Sequence, residues 1–172
     1  MAGRSAGVFD YIVVGGGTAG CVLANRLTAS GAHRVLVLEA GPRDNYLWIH
    51  IPIGYGKTMF HPTYNWGFYT EPEPSMNGRK VYWPRGRGLG GSSSINGLIY
   101  VRGQPQDYDR WAEAGNAGWG WRDVLPYFIR SESNSRGASA THGADGPLAC
   151  TDIGAKHELI EAIIAGAGTL GV

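Results

Sequence analysis

The first forty residues alternate between short apolar runs and one longer amphipathic segment. Tyr11–Val14 and Val35–Leu38 are each apolar throughout, which is typical of buried parallel strands. Between them, residues 18–30 place apolar side chains along one face of a helix. These side chains are Ala19, Val22, Leu23 and Leu27. The pattern predicts a strand–helix–strand unit and therefore an α/β fold.

The turn that joins the first strand to the helix is rich in glycine. Residues 15–20 read Gly-Gly-Gly-Thr-Ala-Gly and fit the pattern G-x-G-x-x-G. Glycines allow a tight turn and close approach of a diphosphate, and the helix N-terminus faces the anion with free N–H groups. Glu39 ends the second strand, where its carboxylate can accept hydrogen bonds from ribose hydroxyls but repels a 2′-phosphate. This predicts a dinucleotide site, disfavours NADP, and leaves FAD and NAD open.

A second glycine cluster lies at residues 85–97, with five glycines and three serines in thirteen residues. A flexible loop is one interpretation. Aromatic and β-branched residues bracket the cluster at positions 81–84 and 98–101, which favours a rigid turn that binds an anion while its serines cap a helix. Two such turns indicate a cofactor held from both sides. Arg85 and Arg87 lie in this cluster, and both a cofactor-adjacent role and a solvated one stay open for them.

Further motifs follow in order along the chain. They are Asn65-Trp66 ahead of Thr70-Glu71-Pro72, then Tyr82–Arg87, Gly86–Asn96 followed by Tyr100 and Gly103, Tyr108–Trp111, Gly118-Trp119, Leu125–Phe128 and Gly143–Leu148. From Phe9 onward the chain resembles the glucose–methanol–choline (GMC) oxidoreductases, which are FAD enzymes. Within that family it is most similar to the choline dehydrogenase and alcohol dehydrogenase (acceptor) branch.

The resemblance implies cofactor contacts at the matching positions. They are Gly15, Gly17, Thr18, Ala19 and Gly20 around the diphosphate; Glu39 and Ala40 at the adenosine end; Gly90, Gly91 and Ser92 as a second phosphate contact; Asn96, Gly97, Leu98 and Ile99 beside the isoalloxazine ring; and Trp66 and Leu89 as further contacts. Some relatives link the flavin to a histidine where this chain has Ile95. Isoleucine cannot form that bond, so the resemblance implies noncovalent FAD.

The family builds chains much longer than 172 residues. In those enzymes a late histidine, paired with a second histidine or an asparagine, takes the alcohol proton while hydride passes to the flavin. No segment here matches it, so we assign no catalytic residue to this sequence and expect the catalytic histidine C-terminal to Val172. The last helical pattern, Glu158–Thr169, also has an apolar face with no following partner. We therefore expect the N-terminal portion of a larger enzyme, incomplete as given.

The resemblance also suggests a domain division. We expect a Rossmann-like FAD-binding domain over residues 1–146 and the start of a substrate-binding domain over residues 147–172. Residues 41–85 contain six of the nine prolines and form a long irregular stretch. Such a stretch is unusual unless it covers a ligand, and in this family it lies over FAD as a lid.

Composition excludes several classes of function. The net charge of +1 gives no electrostatic footprint for nucleic acid. The five histidines and two cysteines show no metal-ligand spacing, and no apolar run is long enough to cross a membrane. The cysteines make no case for a disulfide, which fits a reducing compartment. We expect a cytoplasmic protein that binds no metal, with peripheral membrane association left open.

Two functions from different classes stay open. The first is FAD-dependent oxidation of a small alcohol to an aldehyde, with oxygen, a quinone or another molecule as electron acceptor. The second is a truncated FAD-binding module without catalysis of its own. An NAD-linked dehydrogenase is a weaker third, since it would leave the second glycine cluster unexplained.

Overall fold

A computed structural model describes residues 7–171 as a mixture of short strands and helices. The strands are β1 (Tyr11–Val14), β2 (Val35–Leu38), β3 (Phe68–Tyr69), β4 (Tyr82–Trp83), β5 (Glu132–Asn134) and β6 (Leu148–Cys150). The helices are α1 (Thr18–Thr28), α2 (Tyr55–Thr58), α3 (Pro105–Glu113), α4 (Trp121–Ser131) and α5 (Glu158–Thr169).

Two predictions from the sequence extend past the described residues. Residues 1–6, which belong to the predicted FAD-binding domain, and Val172, the last residue of the predicted substrate-binding segment, lie outside them. The expectation of a catalytic histidine C-terminal to Val172 likewise stays a prediction. The described chain divides into two compact units, one ending at Ile99 and the other beginning at Tyr100. The domain assignment made from the sequence stays a prediction as well.

The first unit begins with the predicted strand–helix–strand element. β1 and β2 pair in parallel, with Tyr11 opposite Val35 and Val14 opposite Leu38. Both strands have the predicted bounds, and α1 ends two residues earlier than predicted. The helix ends because Gly31 takes a φ of +71° and donates its N–H to the carbonyl of Thr28, at 2.9 Å.

The predicted burial of both strands is wrong for most of β1 and for all of β2, in which no residue is fully buried. Val13 is buried at 9% exposure, whereas its neighbour Val14 is 83% exposed. Side chains alternate between the two faces of a strand. Because α1 packs against one face of this two-stranded sheet, only the side chains on that face are covered by the described residues.

The buried side chain of Asn65 links several parts of the stretch from residue 41 to 85. Asn65 accepts hydrogen bonds at Oδ1 from the N–H groups of Gly67 (2.9 Å) and Arg85 (3.0 Å). Its Nδ2 donates to the carbonyl of Met59 and to the hydroxyl of Tyr82. The amide thus links α2 to the antiparallel pair β3–β4. The predicted irregular stretch is accordingly a set of short elements tied together by side-chain hydrogen bonds.

The second unit is arranged around α3 and α4, which pack through aromatic rings. The ring of Tyr108 lies 5.5 Å from Trp121 and 5.6 Å from Phe128. In the first turn of each helix an aspartate accepts the N–H of the residue that precedes the helix: Asp107 from Gln104 and Asp123 from Gly120. After α4, β5 and β6 pair in parallel.

α5 has the bounds that the sequence predicts, and its apolar side chains are exposed. No helix among residues 7–171 combines the length and the apolar character needed to cross a bilayer.

Candidate cofactor site

The first glycine turn joins the end of β1 to the start of α1. Gly15 has a φ of +100° and donates its N–H to the carbonyl of Leu38 at 2.7 Å, which ties the turn to the end of β2. Gly17 precedes the helix in an extended conformation, and no side chain caps the helix N-terminus. The first N–H groups of an α-helix have no acceptor within the helix. The amides at the start of α1 can therefore donate hydrogen bonds to an anion.

Glu39 organises the turn from the neighbouring strand end. Its carboxylate accepts hydrogen bonds from the N–H of Gly16 at 2.7 Å and of Gly41 at 2.9 Å. Partial burial raises the pKa of Glu39, but the backbone donors Gly41, Gly16, Gly88 and Ala40 outweigh it, so the pKa lies below its ordinary value. The carboxylate is ionised at neutral pH. The hydrogen bonds from Gly16 and Gly41 use two of the carboxylate's about four lone-pair positions, which leaves capacity for a ribose hydroxyl.

The second glycine turn lies directly against the first. The N–H of Gly90 donates to the carbonyl of Gly16 at 2.8 Å, and Gly17 and Gly90 form a parallel bridge. A Cβ on Gly91 would lie 2.8 Å from the Cα of Gly17. Gly90 and Gly91 also have φ values of +87° and +55°, which favour glycine. The two predicted turns are therefore one site.

The serines of the second turn hold it together. Ser92 accepts the N–H of Gly86 at 3.1 Å, Ser93 donates to the carbonyl of Gly90 at 2.6 Å, and Ser94 donates to the carbonyl of Leu89 at 2.8 Å. The prediction that serines cap a helix is wrong, because residues 91–94 form a single 3-10 turn and the hydroxyls bond within the loop. The flexible-loop interpretation does not fit these bonds.

The segment after this turn, Asn96–Ile99, is exposed and shaped by one local bond. Asn96 accepts the N–H of Leu98 through its side-chain oxygen at 3.0 Å, and Leu98 takes a φ of +59°. The preceding Ile95 is buried at 4% exposure. These residues present backbone groups at the surface of the unit, as a contact with a planar ring requires.

Trp66 and Leu89, the two further predicted contacts, approach the site from different directions. Trp66 stacks on Phe68 with ring centres 5.9 Å apart, and the Arg87 guanidinium carbon lies 5.2 Å from the Trp66 ring centre. A Cβ on Gly16 would lie 3.0 Å from Leu89 Cδ2. Leu89 is therefore next to the first turn, whereas Trp66 lies beside the Arg87 side chain. The assignment of all these residues to cofactor binding stays a prediction.

Sequence reasoning missed the residues that lock the site. Gly16 occupies a variable position of the G-x-G-x-x-G pattern, yet both its N–H and its carbonyl are used, by Glu39 and Gly90. Gly41 is equally constrained, since a Cβ there would overlap the backbone of Arg87. The signal available in the sequence was the presence of glycine directly after Glu39-Ala40 and inside the first motif.

The arrangement fits a dinucleotide diphosphate. A Cβ at Gly15 would meet no described atom within 4 Å, so the turn is open on that side, and Gly17 leaves the start of α1 uncovered. A carboxylate stands at the end of β2, where an adenosine ribose is bound in βαβ dinucleotide sites. Among residues 7–171, no group of three or more His, Cys, Asp or Glu side chains could hold a metal ion.

Comparisons with known proteins identify the class. A sequence profile of the GMC oxidoreductase family matches residues 9–172, and the chain belongs to that family. It is 44% identical over 170 residues to mouse mitochondrial choline dehydrogenase, covering 95% of this chain and 28% of that protein. It is 48% identical over 147 residues to an alcohol dehydrogenase (acceptor) of Pseudomonas putida, covering 85% of this chain and 27% of that protein.

A solved structure agrees with this class. An FAD-dependent oxidoreductase from Chaetomium thermophilum superposes with a TM-score of 0.78 at 31% identity, covering 96% of this chain and 30% of the other. The family and this FAD-dependent neighbour support FAD as the cofactor. The chain spans just over a quarter of the length of the curated relatives.

Proposed function

We propose that this chain forms the FAD-binding part of an enzyme that oxidises a small alcohol to an aldehyde by hydride transfer to flavin. The observation that carries the proposal is the junction of the two glycine turns, where the Gly90 N–H meets the Gly16 carbonyl at 2.8 Å beside Glu39. The relatives' names, choline dehydrogenase and alcohol dehydrogenase (acceptor), support an alcohol as the substrate class.

In this proposal different residues of the chain bind different parts of the cofactor. The amides of Thr18, Ala19 and Gly20, with Gly15 and Gly17, receive the diphosphate, because helix N-terminal N–H groups favour anions. Gly90 and Gly91 lie against the same turn, and with the next residue, Ser92, they form the second phosphate contact. Glu39 and Ala40 receive the adenosine ribose, and the exposed segment Asn96–Ile99 faces the isoalloxazine ring. The βαβ unit acts as a Rossmann-like dinucleotide fold.

When bound, FAD supplies the hydride acceptor for alcohol oxidation. The alcohol must also lose its hydroxyl proton to a base, and no histidine of the described residues stands in the glycine site. His61, for example, packs against the rings of Tyr46 and Tyr64, which stack on each other. We therefore propose that the base that accepts the alcohol proton lies C-terminal to Val172. This chain then binds, orients and shields the cofactor.

The full-length protein tests the proposal directly. It should purify yellow, and anaerobic choline or another primary alcohol should bleach its flavin absorption. Acid precipitation should release the flavin into the supernatant, because Ile95 is buried and has no group that can bond to FAD. Flavin that stays with the precipitate would disprove the noncovalent proposal. A colourless protein that uses NAD would disprove the function.

The second candidate is an FAD-binding module without catalysis. It is favoured by the fact that the chain covers 28% of a curated relative. A full-length protein that binds FAD noncovalently, but whose flavin no alcohol reduces, would select this candidate.

A further inference from the structure

The backbone of Arg87 is held between Tyr64 and Gly41, close in sequence to the second glycine turn. Its N–H donates to the carbonyl of Tyr64 at 2.8 Å, and a Cβ on Gly41 would overlap its carbonyl group. Three residues further on, the N–H of Gly90 donates to the carbonyl of Gly16 at 2.8 Å. The backbone of Arg87 is thus fixed within three residues of the junction of the two turns.

The Arg87 side chain is a cation without an acceptor among the described residues. Its Nε is buried and makes no hydrogen bond within residues 7–171. None of the ion pairs formed by those residues includes it. Its guanidinium carbon lies 5.2 Å from the centre of the Trp66 ring, which is a cation–π contact and not a hydrogen-bond acceptor. Glu39, the nearby acid, accepts backbone N–H groups instead.

Two other arginines of the chain behave differently. Arg102 forms an ion pair with Glu132 at 2.6 Å. Arg85 also lies over a tryptophan, with its guanidinium carbon 5.1 Å from the Trp83 ring centre, but it is exposed and donates to the carbonyl of Pro84 at 2.7 Å. A buried donor without an acceptor costs free energy, and this cost is larger for a charged group. Arg87 therefore calls for an anionic acceptor that Arg85 does not need.

We propose that Arg87 donates hydrogen bonds to a phosphate oxygen of the bound dinucleotide and is a further binding residue of the glycine site. This inference rests on the proposed function. Guanidinium is always charged and matches the fork of phosphate oxygens, so a cation fixed beside two anion-receiving turns suits the diphosphate. The Trp66 ring, whose centre lies 5.2 Å from the guanidinium carbon, adds a cation–π contact that stabilises the charged side chain.

The test uses full-length apoprotein and three variants: Arg87→Met, Arg87→Lys, and Arg85→Met as the matched control. Tryptophan fluorescence follows titration with FAD, ADP and adenosine, and thermal unfolding is recorded without ligand. Arg87→Met should weaken FAD and ADP binding by about ten- to hundredfold, the range for a charge-assisted hydrogen bond, and leave adenosine binding within about twofold. Arg87→Lys should recover part of the loss, because the charge remains. Arg85→Met should bind all three ligands as wild type does.

Unfolding without ligand separates a phosphate contact from a structural one. Removing an unpaired, partly buried cation should leave the melting temperature of the apoprotein unchanged or raise it. A lower melting temperature, with equal losses for FAD, ADP and adenosine, would show that Arg87 pairs with a carboxylate elsewhere in the protein and would overturn the proposal. Wild-type affinity for FAD in Arg87→Met would overturn it as well.

The same titrations distinguish this inference from the proposed function. Binding of ADP that depends on Arg87, in a protein that does not bind FAD, would overturn the flavin assignment and keep the role of Arg87. A protein that binds neither ligand would overturn both.

Discussion

At the scale of single residues, the site depends on glycines at positions where a Cβ atom would overlap neighbouring backbone. Gly20 lets α1 begin against the turn, because a Cβ there would overlap the carbonyl oxygen of Gly15. Gly86 has the same role in the second turn, where a Cβ would overlap the carbonyl of Gly91. Gly17 differs from both. A Cβ at Gly17 would lie 3.7 Å from Gly91 Cα, which is an ordinary contact.

Gly17 therefore allows a substitution that spares the fold and blocks the ligand. We expect Gly17→Ala to lower FAD occupancy of the full-length protein and Gly17→Val to abolish it, because the added carbons stand where the diphosphate must approach the start of α1. Flavin absorbance per protein after purification measures the effect. Gly56→Ala is the matched control, since a Cβ at Gly56 meets no described atom within 4 Å. Full flavin occupancy in Gly17→Val would contradict the site.

Glu39 should act through both structure and ligand. In Glu39→Gln one carboxylate oxygen becomes an NH₂ group, so the N–H of Gly16 or of Gly41 loses its acceptor. We expect a loss of about 1–3 kcal/mol in the free energy of unfolding and weaker FAD binding. Denaturant titration of the apoprotein and FAD titration measure the two effects. Glu71→Gln, at an exposed position, should change neither; if it matched Glu39→Gln, the effect would be one of net charge.

At the scale of elements, β5 and the loop before β6 are joined by one buried carboxylate. Glu132 is 0% exposed and forms an ion pair with Arg102 at 2.6 Å. His142 contacts it through Nδ1 at 2.9 Å, and the N–H of Gly143 donates to it at 3.0 Å. Burial raises the pKa of Glu132, but hydrogen bonds from His142, Asn134 and Gly143 and the charge of Arg102 outweigh it and lower the pKa to about 2.

This lowered pKa predicts a pH-dependent stability. A carboxyl group whose pKa is lower in the folded state stabilises the fold above its ordinary value of 4.5, and this contribution is lost as the pH falls towards about 2. We expect Glu132→Gln to cost about 3–5 kcal/mol at neutral pH, because Arg102 would be left buried without its partner. The difference from wild type should shrink below about pH 4.5.

Denaturant unfolding of the full-length protein between pH 7 and pH 3 checks this expectation. Asp152→Asn is the matched control, since it removes the carboxylate of the exposed pair with Arg136. That variant should unfold nearly as wild type does. If the loss in free energy of unfolding in Glu132→Gln stayed constant over the whole pH range, packing and not the charge of Glu132 would stabilise the contact between β5 and the loop before β6.

At the scale of the whole molecule, the described residues expose much apolar surface. On α5, Ile163 and Ile164 are 63% and 60% exposed. On β1, Ile12 and Val14 are exposed as well. Contiguous exposed apolar surface and unpaired strand edges both favour association.

The 172-residue chain expressed by itself should therefore self-associate, bind FAD poorly and oxidise no alcohol. Size-exclusion chromatography with light scattering, together with an artificial-acceptor dye assay, measures these properties. Ile163→Lys/Ile164→Lys should reduce the association. Ala138→Lys/Ala140→Lys adds the same charge at exposed positions away from α5 and should not. A monodisperse chain that turns over an alcohol would place the catalytic base within these residues, and not C-terminal to Val172.

Local patterns in the sequence determined the strand–helix–strand unit and the last helix of this protein. The bounds of β1 and β2 follow from short apolar runs and those of α5 from apolar periodicity, and they agree with the structure residue for residue. The glycine motifs and the family resemblance identified the class of protein and its cofactor. These properties depend on neighbours along the chain, so a sequence read in order contains them.

The tertiary structure alone decided which residues meet. Gly16 bonds to both Glu39 and Gly90, Arg87 lies beside Trp66, and Glu132 gathers Arg102 and His142. These partners are separated by 10 to 74 residues. Strand burial was mispredicted for the same reason. An apolar run shows that a strand can be buried, but only the elements packed against it determine which of its faces is covered.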